Sequence, residues 1–283
     1  GRREAQRRVG HQQHIAPFRG DDGGGGGHSR AQAEVAVVHV ERGGVGDHVV
    51  GFRRAEGHSV DGGRVAARRE REEREREAEA LRAAMLSAQR WSVASRDGRS
   101  PYLERKLIAD PESIRFEPDS TILVPMVRYD QPRETALVGV QAIRPDGSKR
   151  FGAGTAKRES ACRLGHAVVG EPILIAEGWA TGMSVRMAVG RRWPVFVAFD
   201  AGNIEPVVAI VRALHPTCPI VVCADDDWRT PGNPGRLKAK QAARTWSNVH
   251  TVFPVWPGPR SDADTDFNDL HRAAGLPVVE RRS

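Results

Sequence analysis

Two short apolar runs that stop abruptly at acid constrain this chain more than any other feature. Ile173-Leu174-Ile175-Ala176 runs into Glu177-Gly178, and Ile220-Val221-Val222-Cys223-Ala224 runs into Asp225-Asp226-Asp227. Runs of this length and β-branched content read as strands buried on both faces. A third run, Val195 to Phe199, ends at Asp200, and a fourth covers Val249 to Val255. The segments between them carry helical patterns over 180–189, 204–214 and 237–246, and a short helix is expected after Leu270. Strands alternating with helices imply right-handed crossovers and an α/β fold, a parallel sheet flanked by helices. Chemistry in such sheets collects beyond the carboxyl ends of the strands. Here those ends are carboxylates.

Parallel alignment lets Glu177, Asp200, Asp225 and Asp227 converge on one rim. Asp225 and Asp227, two apart on an extended segment, can point the same way, and Asp226 points away to solvent or to a supporting role. Like charges about 4 Å apart repel by roughly 4 kcal/mol at an effective dielectric of about 20. A rim that gathers carboxylates therefore calls for a cation. Oxygen-only ligands suit Mg²⁺ or Mn²⁺ rather than zinc, and such metals serve phosphoryl chemistry. Asp200 is equally well placed to cap the helix that follows it.

The rest of the chain supplies a setting for that rim. Its 283 residues have a net charge of +7, which favours a polyanion as partner. Residues 1–63 hold a run of glycines from Gly23 to Gly27 and scattered histidines without ligand spacing, and are expected to be disordered. Residues 64–96 read as a charged helix and linker. Glu70/Arg74 and Glu72/Arg76 are paired at i,i+4, and Ala80, Leu81, Ala84, Met85 and Leu86 form a modest apolar face. Residues 97–170 read as a small β-rich basic subdomain, with strand candidates at 121–127 and 136–143 and a turn at Asp146-Gly147. Its Lys149, Arg150, Lys157 and Arg158, interspersed with glycines, can hold phosphates. Residues 171–283 contain the strand–helix alternation. Gly235, Lys238 and Lys240 open a helix beside the acidic triplet, where a phosphate or a capping role is equally open.

Three cysteines, Cys162, Cys218 and Cys223, form no CxxC pair, so neither a zinc ribbon nor a disulfide framework is expected, and a reducing cytoplasmic setting fits. No apolar run approaches the roughly 20 residues that span a bilayer, and no signal peptide is read. The Walker-type pattern Gly-x-x-x-x-Gly-Lys-Ser/Thr does not occur, which excludes an ATP-driven helicase on that motif. The only tyrosines are Tyr102 and Tyr129, both in the β-rich segment, which argues against a topoisomerase nucleophile.

Taken in order, Glu177-Gly-Trp-Ala-Thr-Gly-Met-Ser184, Asp200-Ala-Gly-Asn203, Asp225-x-Asp227 and Thr265-Asp-Phe-Asn-Asp-Leu270 resemble the Toprim primases of phages and plasmids. The upstream unit, from Tyr102-Leu103-Glu104-Arg105-Lys106 to Asp146-Gly147-Ser148-Lys149-Arg150, is similar to theirs too, so the resemblance runs from about Pro101 to Gly275. It implies a Mg²⁺-dependent (or Mn²⁺-dependent) DNA primase core in DNA replication, joining ribonucleoside triphosphates on a single-stranded DNA template. A replicative helicase is among the partners it allows, and no membrane is involved. By the same resemblance Glu177 is the catalytic acid/base or a metal-assisting carboxylate. Asp225 and Asp227 hold the metal, Asp266 and Asp269 complete the acidic rim, and Lys149 and Arg150 face phosphates. Two alternatives stay open: a Toprim nuclease using the same carboxylates, and a non-catalytic nucleic-acid-binding primase fragment that needs partners. Full-length family members often carry a zinc-binding domain, and no pattern for one is visible here.

Overall fold

The structure, a computed structural model, describes residues 60–276. The expectation of disorder for 1–63, and the histidines within it, lie outside the described residues except for 60–63, which begin a helix.

That helix, α1 (Val60–Val93), is almost wholly exposed along its charged first half. Near its C-terminal end it docks on an antiparallel sheet, with the small residues of the expected face, Ala80 and Ala84, half-buried but its large ones left outside. Leu81, Met85 and Leu86 are 64%, 65% and 67% exposed, while Ala83 and Ser87 are buried and Trp91 packs with Ala94, Leu123, Val140 and Ala142. Small side chains let the helix backbone approach the sheet closely, so size rather than hydropathy chose the docked face.

A short helix, α2 (Pro101–Arg105), starts with Pro at its first position, where the missing N–H costs nothing. The four-stranded antiparallel sheet follows, in the order β1 (Arg115–Phe116), β2 (Ile122–Val127), β3 (Leu137–Ile143) and β4 (Lys149–Phe151). Pro125 lies within β2 without breaking it, because on the side away from β3 the pairing with β1 ends at Leu123 and the next bridge, to Ala161, comes only at Val127. Asp146 accepts the amide of Ser148 at 2.8 Å, which shapes the expected turn into β4.

The second sheet has five strands in the order β5-β7-β6-β8-β9: β5 (Cys162–Leu164), β6 (Ile173–Ala176), β7 (Val195–Val197), β8 (Ile220–Cys223) and β9 (Val249–Val252). β6 to β9 are parallel. β5, which the sequence reading places in the preceding β-rich segment, joins this sheet antiparallel to β7. Crossover helices α3 (Trp179–Ala188), α4 (Ile204–Leu214) and α5 (Pro234–Thr245) lie near their expected places. α5 starts earlier than expected, because Asn233 accepts the Arg236 amide and Pro234 supplies a preset first turn. The last helix, α6 (Phe267–Ala274), starts inside the Thr265–Leu270 motif rather than after it.

Two cores cover the parallel sheet. On one face α3 and α6 pack with Tyr102, Leu103, Ile122, Val124 and Ile143, so the two sheets share one continuous apolar interior. On the other face α4 and α5 bury Ile204, Val208, Val211, Ala239 and Ala242. The chain leaves β6 for β7 on one side and later returns for β8 on the other. The switch point therefore lies between β6 and β8, whose carboxyl ends lead into Glu177 and Asp225. Cys162, Cys218 and Cys223 are all free and buried. Among the described residues no helix is long and apolar enough to cross a membrane.

Candidate active site

The acids at the switch point are close enough to shift one another. Burial, then the charges of Asp227 and Asp200, push the Glu177 carboxyl up to about 7, against a smaller pull from Lys149 and the Ala201 amide. Asp225 is pushed well above the usual carboxylate range by burial first, then by Asp266, Glu177 and Asp227, with Lys149 opposing. Asp225 keeps some exposed surface, but its Oδ1 is sealed from solvent and has no hydrogen-bond partner; Glu177 Oε2 is in the same state. Sealed, unpartnered carboxylate oxygens are costly, and a protein tolerates them where a ligand completes them. Among the described residues no three Asp, Glu, His or Cys side chains are already gathered around one metal-sized point. The donor chemistry still fits a divalent ion: oxygen-only ligands with free lone pairs at the crevice between two parallel strands.

The other expected acids are spoken for to different degrees. Asp200 accepts the amide of Asn203 at 3.0 Å and pairs with Lys157. Asp266 caps α6, with Oδ1 accepting the amides of Asn268 at 2.7 Å and Asp269 at 2.8 Å, while Oδ2 accepts the Thr181 hydroxyl at 2.9 Å. Asp269 closes the reciprocal half of this capping box and pairs with Lys106 at 3.7 Å and Arg272 at 3.5 Å. Its carboxyl is raised, by burial and then by Asp266. Both acids therefore have structural duties, although Asp266 stays near enough to Asp225 to repel it.

Asp226 does point away from its neighbours, but into the protein rather than to solvent. It is buried, accepts from Asn233 Nδ2 at 2.7 Å, and pairs with Arg260 at 3.0 Å and Arg236 at 3.4 Å. The middle acid thus pins the loop that carries Asp225 and Asp227, both near enough to Glu177 for their charges to be felt. Gly235, at the start of α5, is equally tied to this loop: a Cβ there would stand 2.6 Å from the Asp225 carbonyl oxygen. Sequence reasoning missed Arg236 and Arg260: the only signal was the alternation that sets Asp226 apart from its neighbours, and the burial that demands a cation there is visible only in the fold.

Several motif residues hold the rim together rather than line it. Asn203 Nδ2 donates to the carbonyls of Ala198 at 2.8 Å, Ser160 at 2.9 Å and Lys157 at 3.2 Å, and its Oδ1 accepts the Glu159 amide at 2.7 Å. It thereby ties the basic loop to the end of β7. Asn268 donates to the Ser184 hydroxyl at 2.9 Å and to the Lys106 carbonyl at 2.8 Å, and Ser184 meets His271 Nδ1 at 3.1 Å. These bonds dock α6 on α3.

Of the expected basic residues, the structure brings Lys149 and Lys157 to the acids. The Lys149 ammonium lies 4.0 Å from where a Cβ on Gly178 would sit and opposes the rise at both Glu177 and Asp225. Arg150 and Arg158 are exposed, with Arg158 3.9 Å from Glu159. Lys238 is half-buried on α5, and Lys240 is exposed with its ammonium 6.0 Å from the Phe253 ring centroid.

Residues 172–276 match the Toprim domain family. A DNA primase TraC of Escherichia coli is 31% identical over 204 residues, which is 69% of this chain and 18% of that protein. A second Escherichia coli DNA primase TraC is 37% identical over 124 residues, 41% of this chain and 8% of that protein. The chain thus spans less than a fifth of either relative's length. Among solved structures, the primase fragment of the bacteriophage T7 primase-helicase is similar with a TM-score of 0.42 at 16% identity, covering 60% of this chain and 65% of that one. The DnaG primase catalytic domain bound to single-stranded DNA gives a TM-score of 0.40 at 13% identity, covering 67% and 63%.

Proposed function

Residues 172–276 being a Toprim domain in a chain homologous to DNA primase TraC, we propose that this protein is the polymerising core of a DNA primase. It joins ribonucleotides on a single-stranded DNA template. The observation that carries this reading is the pair of sealed, unpartnered carboxylate oxygens, on Glu177 and Asp225, at the β6–β8 switch point.

Asp225 and Asp227 hold Mg²⁺, or Mn²⁺ in its place. When bound, the ion neutralises the carboxylates and withdraws charge from a phosphate oxygen. In the metal-free fold the Glu177 carboxyl is raised to about 7, and a bound ion would lower it, leaving a carboxylate beside the reacting groups that can accept a proton. In the forward reaction it takes the proton of the primer 3′-hydroxyl. That oxygen forms a bond to the α-phosphorus of the incoming nucleotide, and pyrophosphate leaves with the electrons of the broken P–O bond. Lys149 faces the phosphates beside Glu177, and Arg150, Lys157 and Arg158 continue the basic edge. Asp226, through Arg236 and Arg260, keeps Asp225 and Asp227 turned to the crevice. A replicative helicase is a partner consistent with this role.

The test is template-dependent dinucleotide synthesis with Mg²⁺ and ribonucleoside triphosphates. Asp225→Ala abolishes it while the protein stays folded by circular dichroism. Synthesis retained in that variant refutes the assignment. Cleavage of labelled DNA with Mn²⁺ in the absence of nucleotides, lost in the same variant, would replace the polymerase with a nuclease.

A further inference from the structure

Phe151 takes no part in the chemistry above, yet it stands beside it. It ends β4, the edge strand of the four-stranded sheet, and is 36% exposed. Strand alternation puts Phe151 and Lys149 on one face of β4 and Arg150 on the other. The Lys149 ammonium reaches the Gly178 corner of the acid rim, and the Lys157 ammonium lies 5.2 Å from the Phe151 ring centroid while pairing with Asp200. A partly exposed aromatic ring thus carries one cation over it, Lys157, and shares its strand face with another, Lys149.

The ring is also seated firmly. Phe199, buried beneath it, meets it edge-on with centroids 6.2 Å apart and planes at 85°. Phe199 adopts φ +72°, a left-handed conformation that costs a bulky residue about 1–3 kcal/mol and clusters at functional sites. Its amide donates to the Glu177 carbonyl at 2.8 Å. One strained residue therefore connects the seat of the Phe151 ring to the backbone of the rim's central acid.

The surroundings decide what covers such a ring. A protein partner's apolar surface would meet Lys149, Arg150, Gly152 and Lys157, which offer charge and little apolar area. A nucleic acid strand meets the same set well, with a base on the ring and phosphates on the flanking cations. The acids of the rim repel a polyanion, so this basic edge is its natural approach.

We propose that Phe151 is a base-stacking platform: one nucleobase of a single strand stacks on its exposed ring while Lys149 and Lys157 take the neighbouring phosphates. The inference rests on the primase reading and deepens it by naming the residue that positions a base at the entrance to the rim.

The full chain is titrated with a labelled oligo-dT and with an abasic strand of equal length, which keeps the phosphates and lacks the bases. The wild type binds oligo-dT more tightly. Phe151→Leu keeps packing against Phe199 but removes the ring, and lowers oligo-dT affinity by about 5- to 150-fold, the range for one stacked base. Its abasic-strand affinity and its dependence on salt stay at the wild-type values, because no phosphate contact is lost. Phe151→Trp restores the preference for bases. Equal loss on both strands, no loss on either, or a wild type that does not distinguish them overturns the platform. Dinucleotide synthesis is measured on the same preparations. A base preference that depends on Phe151, in a wild type without synthesis, overturns the polymerase and leaves the platform standing; synthesis with a base preference indifferent to Phe151 overturns the platform alone.

Discussion

Replacing Glu177 with Gln should stabilise the metal-free protein while removing its activity. The ionised Glu177 carboxylate sits against Asp227 and Asp200 with Oε2 sealed and unpartnered. Raising a carboxyl from its ordinary 4.5 to about 7 corresponds to about 3 kcal/mol lost when the group is charged in the fold. The amide of Gln leaves a polar atom in the same sealed place, at a cost of about 1–3 kcal/mol. A net gain of about 1 kcal/mol at pH 8 remains, or roughly 2–4 °C in Tm for a domain of this size. The pH dependence is more diagnostic. The folded carboxyl holds its proton more tightly than the unfolded one, so its contribution to stability is complete below about 4.5 and is lost as pH rises through about 7. Metal-free wild type should therefore lose stability across that window, and Glu177→Gln should lose less. Mg²⁺, binding the folded state, should raise the wild-type Tm at pH 8. Differential scanning calorimetry in EDTA and in Mg²⁺, from pH 4.5 to pH 8, reads all three effects. A Glu177→Gln protein that melts lower than wild type at pH 8, with an unchanged pH slope, would show that the carboxylate is a structural partner and would refute the reasoning.

Asp226→Ala removes the partner of two arginines, of which Arg260 is only 16% exposed, so urea unfolding should show a loss of about 3–5 kcal/mol. A loss below about 1 kcal/mol would mean that the middle acid does not anchor the loop. Asp266→Ser keeps a cap for α6 while deleting the carboxylate, and should change stability by under about 1 kcal/mol and leave the Mg²⁺ midpoint of synthesis within threefold of wild type. A midpoint raised tenfold or more would make Asp266 a metal ligand.

The order of elements, and the acids at their ends, can be read along the chain. Apolar runs of strand length, broken by helical periods, leave a parallel sheet as the way to bury them, and α4 spans the expected residues 204–214. Position along the chain also set Asp226 apart from its neighbours in expectation, and the fold gives it partners of its own, Asn233, Arg236 and Arg260. What each acid meets is a matter of the folded arrangement. Whether a carboxylate is sealed like Asp225, tied to arginine like Asp226 or held across the fold like Asp266 depends on atoms distant in sequence, Arg260 for Asp226 and Thr181 for Asp266, although the cap that Asp266 gives α6 is local to the chain. The face of α1 that docks, through Ala83 and Ser87 instead of Leu81 and Met85, was illegible for the same reason, since fit against β3 is a property of both surfaces. The approach of Lys149 and Phe151 to the rim likewise comes from the shared core of the two sheets, which no local pattern in the chain encodes.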